Sequence, residues 1–169
     1  MQRLLCTIGF AGKTAEQFFD LLLGAGVEQV IDIRQNRHSQ LSGFAKHPDL
    51  SFFLQKICKI AYVHELLLAP PPELLKSYRS TKDWPAYEAS FLAIMKERGV
   101  PASLNTSSWS AKVALLCSEP GPEKCHRRLV AELLARHWRD QGDEVEIRHL
   151  ISVQPKSVKS RRKKIGAAL

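Results

Sequence analysis

The chain has 169 residues, of which 44% are hydrophobic and 25% charged, and a formal net charge of +8. This length fits one globular domain that buries a core without disulfides. The absence of a run of about eighteen apolar residues excludes a transmembrane helix, and the N-terminus lacks the apolar stretch of a signal peptide. We therefore expect a cytoplasmic protein without membrane contact, whose four cysteines are thiols.

The excess positive charge is concentrated at the C-terminal end. Six basic residues and no acidic ones follow Pro155, and without them the chain has 19 basic and 17 acidic residues. Because a charged segment with few large apolar residues cannot form a core, we predict one domain over residues 1–154 and a disordered basic tail over 155–169. Such a tail attracts nucleic acid through its phosphates, or it serves only solubility.

Strands and helices alternate along the predicted domain. The clearest signals are a Thr14–Gln17 capping box at a helix start and an unbroken apolar run before Cys117, typical of a buried parallel strand. The predicted elements are, in chain order, a strand over 3–10, a helix from Thr14 to Gly26, a strand over 30–33, a helix over 48–59, a strand over 61–64, a helix from Pro72, a helix from Asp83 to Gly99, a strand over 112–117, a helix over 123–141 and a strand over 144–150.

This order predicts a single three-layer α/β/α domain with an open, mostly parallel sheet. Ligands of such sheets bind beyond the carboxyl ends of the strands. Four predicted strand ends carry polar or reactive residues, and we expect them to face one crevice: 7–9, 32–34, 64–65 and 117–119.

The segment from Cys117 to Arg127 is the strongest candidate site. It joins a buried strand to a helix through Pro120, Gly121 and Pro122, so the residues that follow fall near the first helical turn. Backbone N–H groups and the helix dipole attract anions there, and the same field lowers the pKa of a cysteine. The alternative is a structural cysteine packed under the turn.

Three donors in this segment also suggest a metal site. Cys117, Cys125 and His126 could hold an ion, with His64 as a fourth ligand. Their spacing matches no standard zinc pattern, so we assign no metal ligands, and the sequence identifies no cofactor.

Two further strand ends add charged groups. Asp32 and Arg34 alternate along a strand, so Asp32 either orients Arg34 and serves as a general base, or forms a structural ion pair with it. His64 and Glu65 resemble an acid–base pair, although a surface histidine beside a carboxylate is common. Aromatic residues 84, 87 and 91 are expected in the core, with base stacking as the minority interpretation.

Several motifs, taken together, resemble a widespread bacterial family, the domain of unknown function 488. Its pattern is matched in order by Thr7-Ile8-Gly9, Asp32-Ile33-Arg34, Tyr62-Val63-His64, Leu116-Cys117-Ser118-Glu119 and Cys125-His126-Arg127. The resemblance implies an α/β fold and a shared polar site but no settled reaction. The loop after Arg34 departs from the pattern by placing Arg37 and His38 before Ser39, so ligand contacts from this loop are not carried over.

We favour a small enzyme or binding domain for a phosphate-bearing or nucleotide-like ligand, with Arg34 and Arg127 holding the anion. The sequence does not decide whether it catalyses, nor its oligomeric state. The alternatives are a nucleic-acid-binding accessory protein that uses loop 34–46 and the tail, and a metal-binding or thiol-redox protein. The predicted catalytic residues are Cys125, His126, Asp32 and Glu119, and the predicted ligand-binding residues are Thr7, Gly9, Arg34, His64, Cys117 and Arg127.

Overall fold

A computed structural model describes residues 1–38 and 42–152. Its five strands are β1 (Gln2–Gly9), β2 (Gln29–Asp32), β3 (Ala61–His64), β4 (Lys112–Cys117) and β5 (Glu144–Leu150). Its five α-helices are α1 (Ala15–Gly24), α2 (Asp49–Phe52), α3 (Pro72–Thr81), α4 (Trp84–Glu97) and α5 (His126–Asp140). The tail predicted over 155–169 lies outside the described residues.

The strands form one open sheet in the order β3-β2-β4-β1-β5, and every neighbouring pair is parallel. This confirms the predicted α/β fold with a parallel sheet. Because β4 is the middle strand, its last residue, Cys117, lies beside Gly9 of β1, while Asp32 at the end of β2 lies beside Leu116. The carboxyl ends of the three central strands therefore meet at one edge of the sheet.

Strand alternation divides the core between the two faces of the sheet. Alternate β4 residues Ala114 and Leu116 pack with α1, α2 and their neighbours, whereas Val113 and Leu115 pack with α4 and α5. Cys117 continues the second series, so its side chain faces α4 and α5. None of the helices within the described residues is both long and apolar enough to cross a bilayer.

The start of α1 follows the predicted local chemistry. Thr14 Oγ1 accepts a hydrogen bond from the Gln17 backbone N–H, and the Gln17 side chain accepts one from the Thr14 N–H. This confirms the capping box, which satisfies two backbone donors that the first helical turn leaves free.

The segment predicted as a helix over 48–59 is helical from Asp49 to Ile57, but its helical period changes within it. Helix α2 ends at Phe52 and gives way to a π-helical segment, Phe53–Ile57, closed by the hydrogen bond from the Cys58 N–H to the Phe53 carbonyl. The wider turn changes the helical spacing. Leu50 and Leu54 remain buried, whereas Ile57, which α-helical spacing would place on the same face, is exposed.

Helix α5 begins three residues later than the predicted start at 123. Cys125 has an extended backbone, with φ −139° and ψ 136°, and stands at the N-cap without a side-chain capping bond. Residues 120–124 form a turn that is closed by the hydrogen bond from the Cys125 N–H to the Pro122 carbonyl. Cys125 is therefore outside the helix and free to face β4.

Candidate active site at the end of strand β4

A cavity of about 540 Å³ opens at the carboxyl edge of the sheet. Cys117, Cys125 and His126 form its floor, and each is less than a tenth exposed. Its walls come from Pro70 and Pro72, from α3 and from α4, and its rim carries charged side chains. A volume of this order suits a small molecule.

The floor is a cluster of two thiols and one imidazole. The Cys117 Sγ lies 3.1 Å from the Cys125 Sγ and 3.7 Å from His126 Nδ1, and the Cys125 Sγ lies 4.0 Å from the same nitrogen. We name these three residues the thiol–imidazole cluster. They come together because the last residue of the central strand lies beneath the first turn of α5.

The imidazole of His126 is held in a fixed orientation. Its Nε2 donates a hydrogen bond to the Ile33 carbonyl at 3.1 Å, so Nδ1 is the nitrogen that faces the thiols. The Phe91 ring packs against the imidazole with centroids 5.7 Å apart. One ring nitrogen is therefore fixed by the protein, and the other is available to exchange a proton with sulfur.

The two thiols differ in acidity. Burial alone would raise the pKa of Cys117, but the hydrogen bond from the Cys125 thiol and the attraction of His126 lower it well below the usual 9.0. Burial and the neighbouring Cys117 raise the pKa of Cys125. Burial opposes a charged His126, yet the Cys117 sulfur raises the pKa of the imidazole. These directions favour ionisation of the Cys117 sulfur over that of Cys125, with His126 as the neighbouring group that stabilises the charge.

This assignment reverses the expected acidity of Cys125. The helix start was expected to lower the pKa of this cysteine, but the partial charge of a helix end is outweighed by burial and by a second sulfur at 3.1 Å. For comparison, Cys6 lies in the apolar core of β1, where burial raises the pKa of its thiol to about 11.

Arg127 is completely buried and holds the loop between the two cysteines from inside. Its Nη1 donates to the Glu119 carbonyl and its Nη2 to the Pro120 carbonyl, while Nη1 also lies 3.6 Å from the Cys125 Sγ. No carboxylate within the described ranges lies within 4.0 Å of this guanidinium. The Cys125 sulfur is thus the side-chain atom of the cluster that this buried cation contacts.

Gly9 is required by the same loop. A Cβ atom at this position would lie 1.7 Å from the Glu119 carbonyl oxygen and 2.7 Å from Arg127 Nη1. The backbone of β1 therefore approaches the loop more closely than any other residue type allows. Gly9 contributes to the site by allowing the loop to pack, and it does not line the cavity.

Asp32 and Arg34 form a buried bidentate ion pair. Arg34 Nε and Nη2 donate to the two carboxylate oxygens of Asp32 at 2.8 and 2.6 Å, and Arg34 Nη1 donates to the Ala45 carbonyl. The Tyr62 hydroxyl donates to Asp32 at 2.7 Å. Burial alone would lower the pKa of Arg34, but this pairing raises it. Both partners are occupied within the protein, an arrangement that favours a structural role for the pair.

Three further predicted residues, Thr7, Asp32 and His64, do not line the cavity. Thr7 Oγ1 lies 2.8 Å from His149 Nδ1 within the sheet, and His64 Nε2 lies 2.9 Å from the Arg34 carbonyl oxygen. Asp32 points to the opposite face of the sheet from Cys117, since it follows Val30 in the strand alternation. Of the ten predicted site residues, Cys117, Cys125, His126, Glu119 and Arg34 line the cavity.

The sequence did not identify the cavity wall and most of its rim. Tyr87 is buried beside the two thiols, and burial and these neighbours raise the pKa of its hydroxyl. Tyr78 and Arg79 of α3 and Lys124 also line the opening. For Tyr78 and Arg79 the available signal was the proline-rich break before α3, which marks a loop near the sheet edge but does not indicate which residues turn inward.

Within the described residues, the thiol–imidazole cluster also has donor atoms that could bind a metal ion, since its three donor atoms lie within 4.8 Å of one another. A structural zinc site takes four protein ligands. His64, the fourth ligand suggested by the sequence, is instead bonded to the Arg34 carbonyl. Three donors could hold an ion only with an open position toward the cavity.

Comparison with known proteins places these residues in a family. No curated protein matches the chain, and no solved structure matches it. One family model, described as "Domain of unknown function DUF488", matches residues 14–134. The match covers β2, β3, β4 and the start of α5, and it includes all three residues of the thiol–imidazole cluster. This protein belongs to that family.

Proposed function

We propose that the protein is a cysteine-dependent enzyme in which the Cys117 sulfur attacks a small anionic ligand bound in the cavity. His126 is the proton partner of this sulfur. The proposal keeps the expected small anionic substrate, but it makes Cys117 rather than Cys125 the nucleophile. Anion recognition is assigned to Arg79 and Lys124 at the rim of the cavity instead of Arg34 and Arg127.

The observation that carries the proposal is the 3.7 Å approach of the Cys117 sulfur to an imidazole whose other nitrogen is fixed by a backbone carbonyl. A thiolate is the reactive form of cysteine, and a neighbouring imidazolium stabilises it. The lowered pKa of Cys117 agrees with this geometry. The group also lies at the base of a cavity at the carboxyl edge of a parallel sheet, where such folds bind ligands.

Recognition of an anion is supported by the rim. Arg79 and Lys124 line the opening and are exposed, against one exposed acidic residue of the lining, Glu119. Neither cation has a carboxylate within 4.0 Å in the described part of the chain. Arg34 and Arg127 instead donate to Asp32 and to backbone carbonyls. Tyr78 and Tyr87 line a wall that suits a planar group on the ligand.

Alkylation with a matched pair of reagents tests the proposal. Folded protein carrying Cys58→Ser, which removes the half-buried thiol outside the site, is treated at pH 6.5 with neutral iodoacetamide or anionic iodoacetate. The modified peptides are then mapped by mass spectrometry. We expect Cys117 to react first, and His126→Gln to slow its reaction because an amide cannot form the ion pair.

The charge of the reagent tests the rim. The ratio of the iodoacetate rate to the iodoacetamide rate at Cys117 should fall when Arg79 and Lys124 are both changed to Gln. A Cys117 that stays unmodified in the folded protein while other cysteines react contradicts the nucleophile assignment. An unchanged ratio in the double variant contradicts anion recognition by the rim and leaves the nucleophile assignment intact.

A further inference from the structure

We infer that Cys117 and Cys125 act together as a redox dithiol, which reduces small anionic disulfides and passes through a Cys117–Cys125 disulfide. This inference rests on the proposed function, because it requires Cys117 to be the attacking sulfur. It adds the substrate class and assigns a chemical role to Cys125.

The position of Cys125 carries the inference. Its sulfur lies 3.1 Å from that of Cys117, so the two atoms need to approach by only about 1 Å to reach the S–S bond length of about 2.05 Å. Cys125 stands at the N-cap with an extended backbone. Its side chain can therefore move toward β4 without breaking a hydrogen bond within α5.

Two thiols that only pack together in a core do not need charged groups or an open cavity beside them. Cys6, a buried structural thiol, lies among apolar side chains, and its nearest charged influences are the exposed Arg148 and Glu146. The Cys117–Cys125 pair instead has an imidazole within 4.0 Å of both sulfurs, a buried guanidinium at one of them and an opening to a cavity. These groups move protons and stabilise thiolates.

The reaction has two exchanges. The Cys117 thiolate attacks one sulfur of the substrate disulfide, forming a mixed disulfide and releasing the first substrate thiolate, which takes the Nδ1 proton of His126. The neutral imidazole then accepts the proton of the Cys125 thiol. The Cys125 thiolate attacks the Cys117 sulfur, the mixed disulfide breaks, and the second substrate thiolate leaves with the proton held by His126.

The balance is one disulfide reduced to two thiols and one protein dithiol oxidised to a disulfide. A thiol reductant restores the dithiol through the same two exchanges in reverse. Arg127 is a positioning residue in the second exchange. Its Nη1 stabilises charge on the Cys125 sulfur at 3.6 Å, and its bonds to two loop carbonyls hold the segment between the cysteines in place.

The substrate class follows from the cavity. About 540 Å³ excludes a folded protein domain but admits a small molecule or a side-chain-sized group. The exposed Arg79 and Lys124 at the rim favour carboxylates near the reacting sulfur. A small disulfide that bears carboxylates satisfies both conditions.

The stoichiometry of exchange with dithiobis(nitrobenzoate), an aromatic disulfide that carries carboxylates, tests the inference. With Cys58→Ser as the background, reduced protein should release two thionitrobenzoate anions per Cys117 and keep no adduct. Its peptide map should show Cys117 joined to Cys125. With Cys125→Ser added, only one anion should be released rapidly and the adduct should persist on Cys117. With Cys117→Ser, the rapid phase should disappear.

The outcomes separate the two proposals. If the protein with both cysteines retains the adduct on Cys117, the dithiol inference is wrong and the nucleophile proposal stands. If Cys117 reacts with neither this disulfide nor iodoacetamide, both are wrong. Purified protein that contains one zinc ion per chain by elemental analysis, and reacts only after chelation, also overturns the inference.

A matched pair of aliphatic disulfides tests the substrate class. Dithiodipropionate and cystamine have similar size and opposite charge, and the first should react faster at Cys117. Arg79→Gln with Lys124→Gln should remove most of this difference. If the two reagents react at equal rates with protein that retains Arg79 and Lys124, the anionic substrate class is wrong.

Discussion

Substitution of Gly9 by Ala tests whether the loop over Arg127 is held by the close approach of β1. The added Cβ would lie 1.7 Å from the Glu119 carbonyl oxygen, whereas a carbon–oxygen contact normally exceeds about 3.3 Å. The obstacle is backbone, fixed by its hydrogen bond from Arg127, so β1 or the loop has to move. Overpacking of this kind costs about 3 kcal/mol, which corresponds to a Tm lower by roughly 6–12 °C for a chain of this size.

Gly24→Ala is the matched control. Gly24 is the exposed last residue of α1, and no atom lies within 4 Å of the position that its added methyl group would take, so alanine should leave the Tm unchanged or raise it slightly. Thermal unfolding followed by circular dichroism compares the two variants, and alkylation of Cys117 reports on the loop. If the two alanine variants melt within about 1 °C of each other, the close approach is not a constraint.

The remaining predictions concern the buried charges. Asp32→Asn leaves Arg34 as a buried unpaired cation and should destabilise the protein by about 3–5 kcal/mol, measured by urea unfolding; normal stability would contradict the structural role of the pair. Tyr62→Phe removes one of the hydrogen bonds to Asp32 and should cost roughly 1.5 kcal/mol in the same assay. The alkylation rate of Cys117 should remain near its plateau as pH falls below 9, because its lowered pKa keeps the thiolate. The alkylation rate of Cys58, whose pKa is raised by burial, should decrease as soon as the pH falls below 9. If the two cysteines show parallel pH profiles, the lowered pKa of Cys117 is wrong.

The sequence was sufficient for the fold because its signals are local. Apolar runs, the Thr14–Gln17 capping box and glycine after a helix each act within a few residues, and the alternation of strands and helices then limits the topology. The π-helical turn after Phe52 was not predictable in this way. It keeps Leu54 buried and leaves Ile57 exposed, which depends on how the segment packs against the sheet and not on local sequence signals.

The candidate site was only partly predictable, because its chemistry depends on distances between segments. Cys117, His126 and Arg127 could be recognised from their place at a strand end and a helix start. Which thiol ionises depends on a sulfur eight residues away and on the depth of burial. The Asp32 partner of Arg34 was recognisable from its spacing, but Arg127 is held by two backbone carbonyls of the loop, and a carbonyl leaves no pattern in a sequence.

The two sides of the cavity come from parts of the chain that differ in how strongly they resist mutation. Cys117 and His126 belong to the central strand and to α5, which is largely buried, whereas α3 has no fully buried side chain and carries Tyr78 and Arg79 of the opening. Under the proposed function, substitution of exposed positions of α3 such as Arg79 should therefore alter ligand preference at little cost in folding.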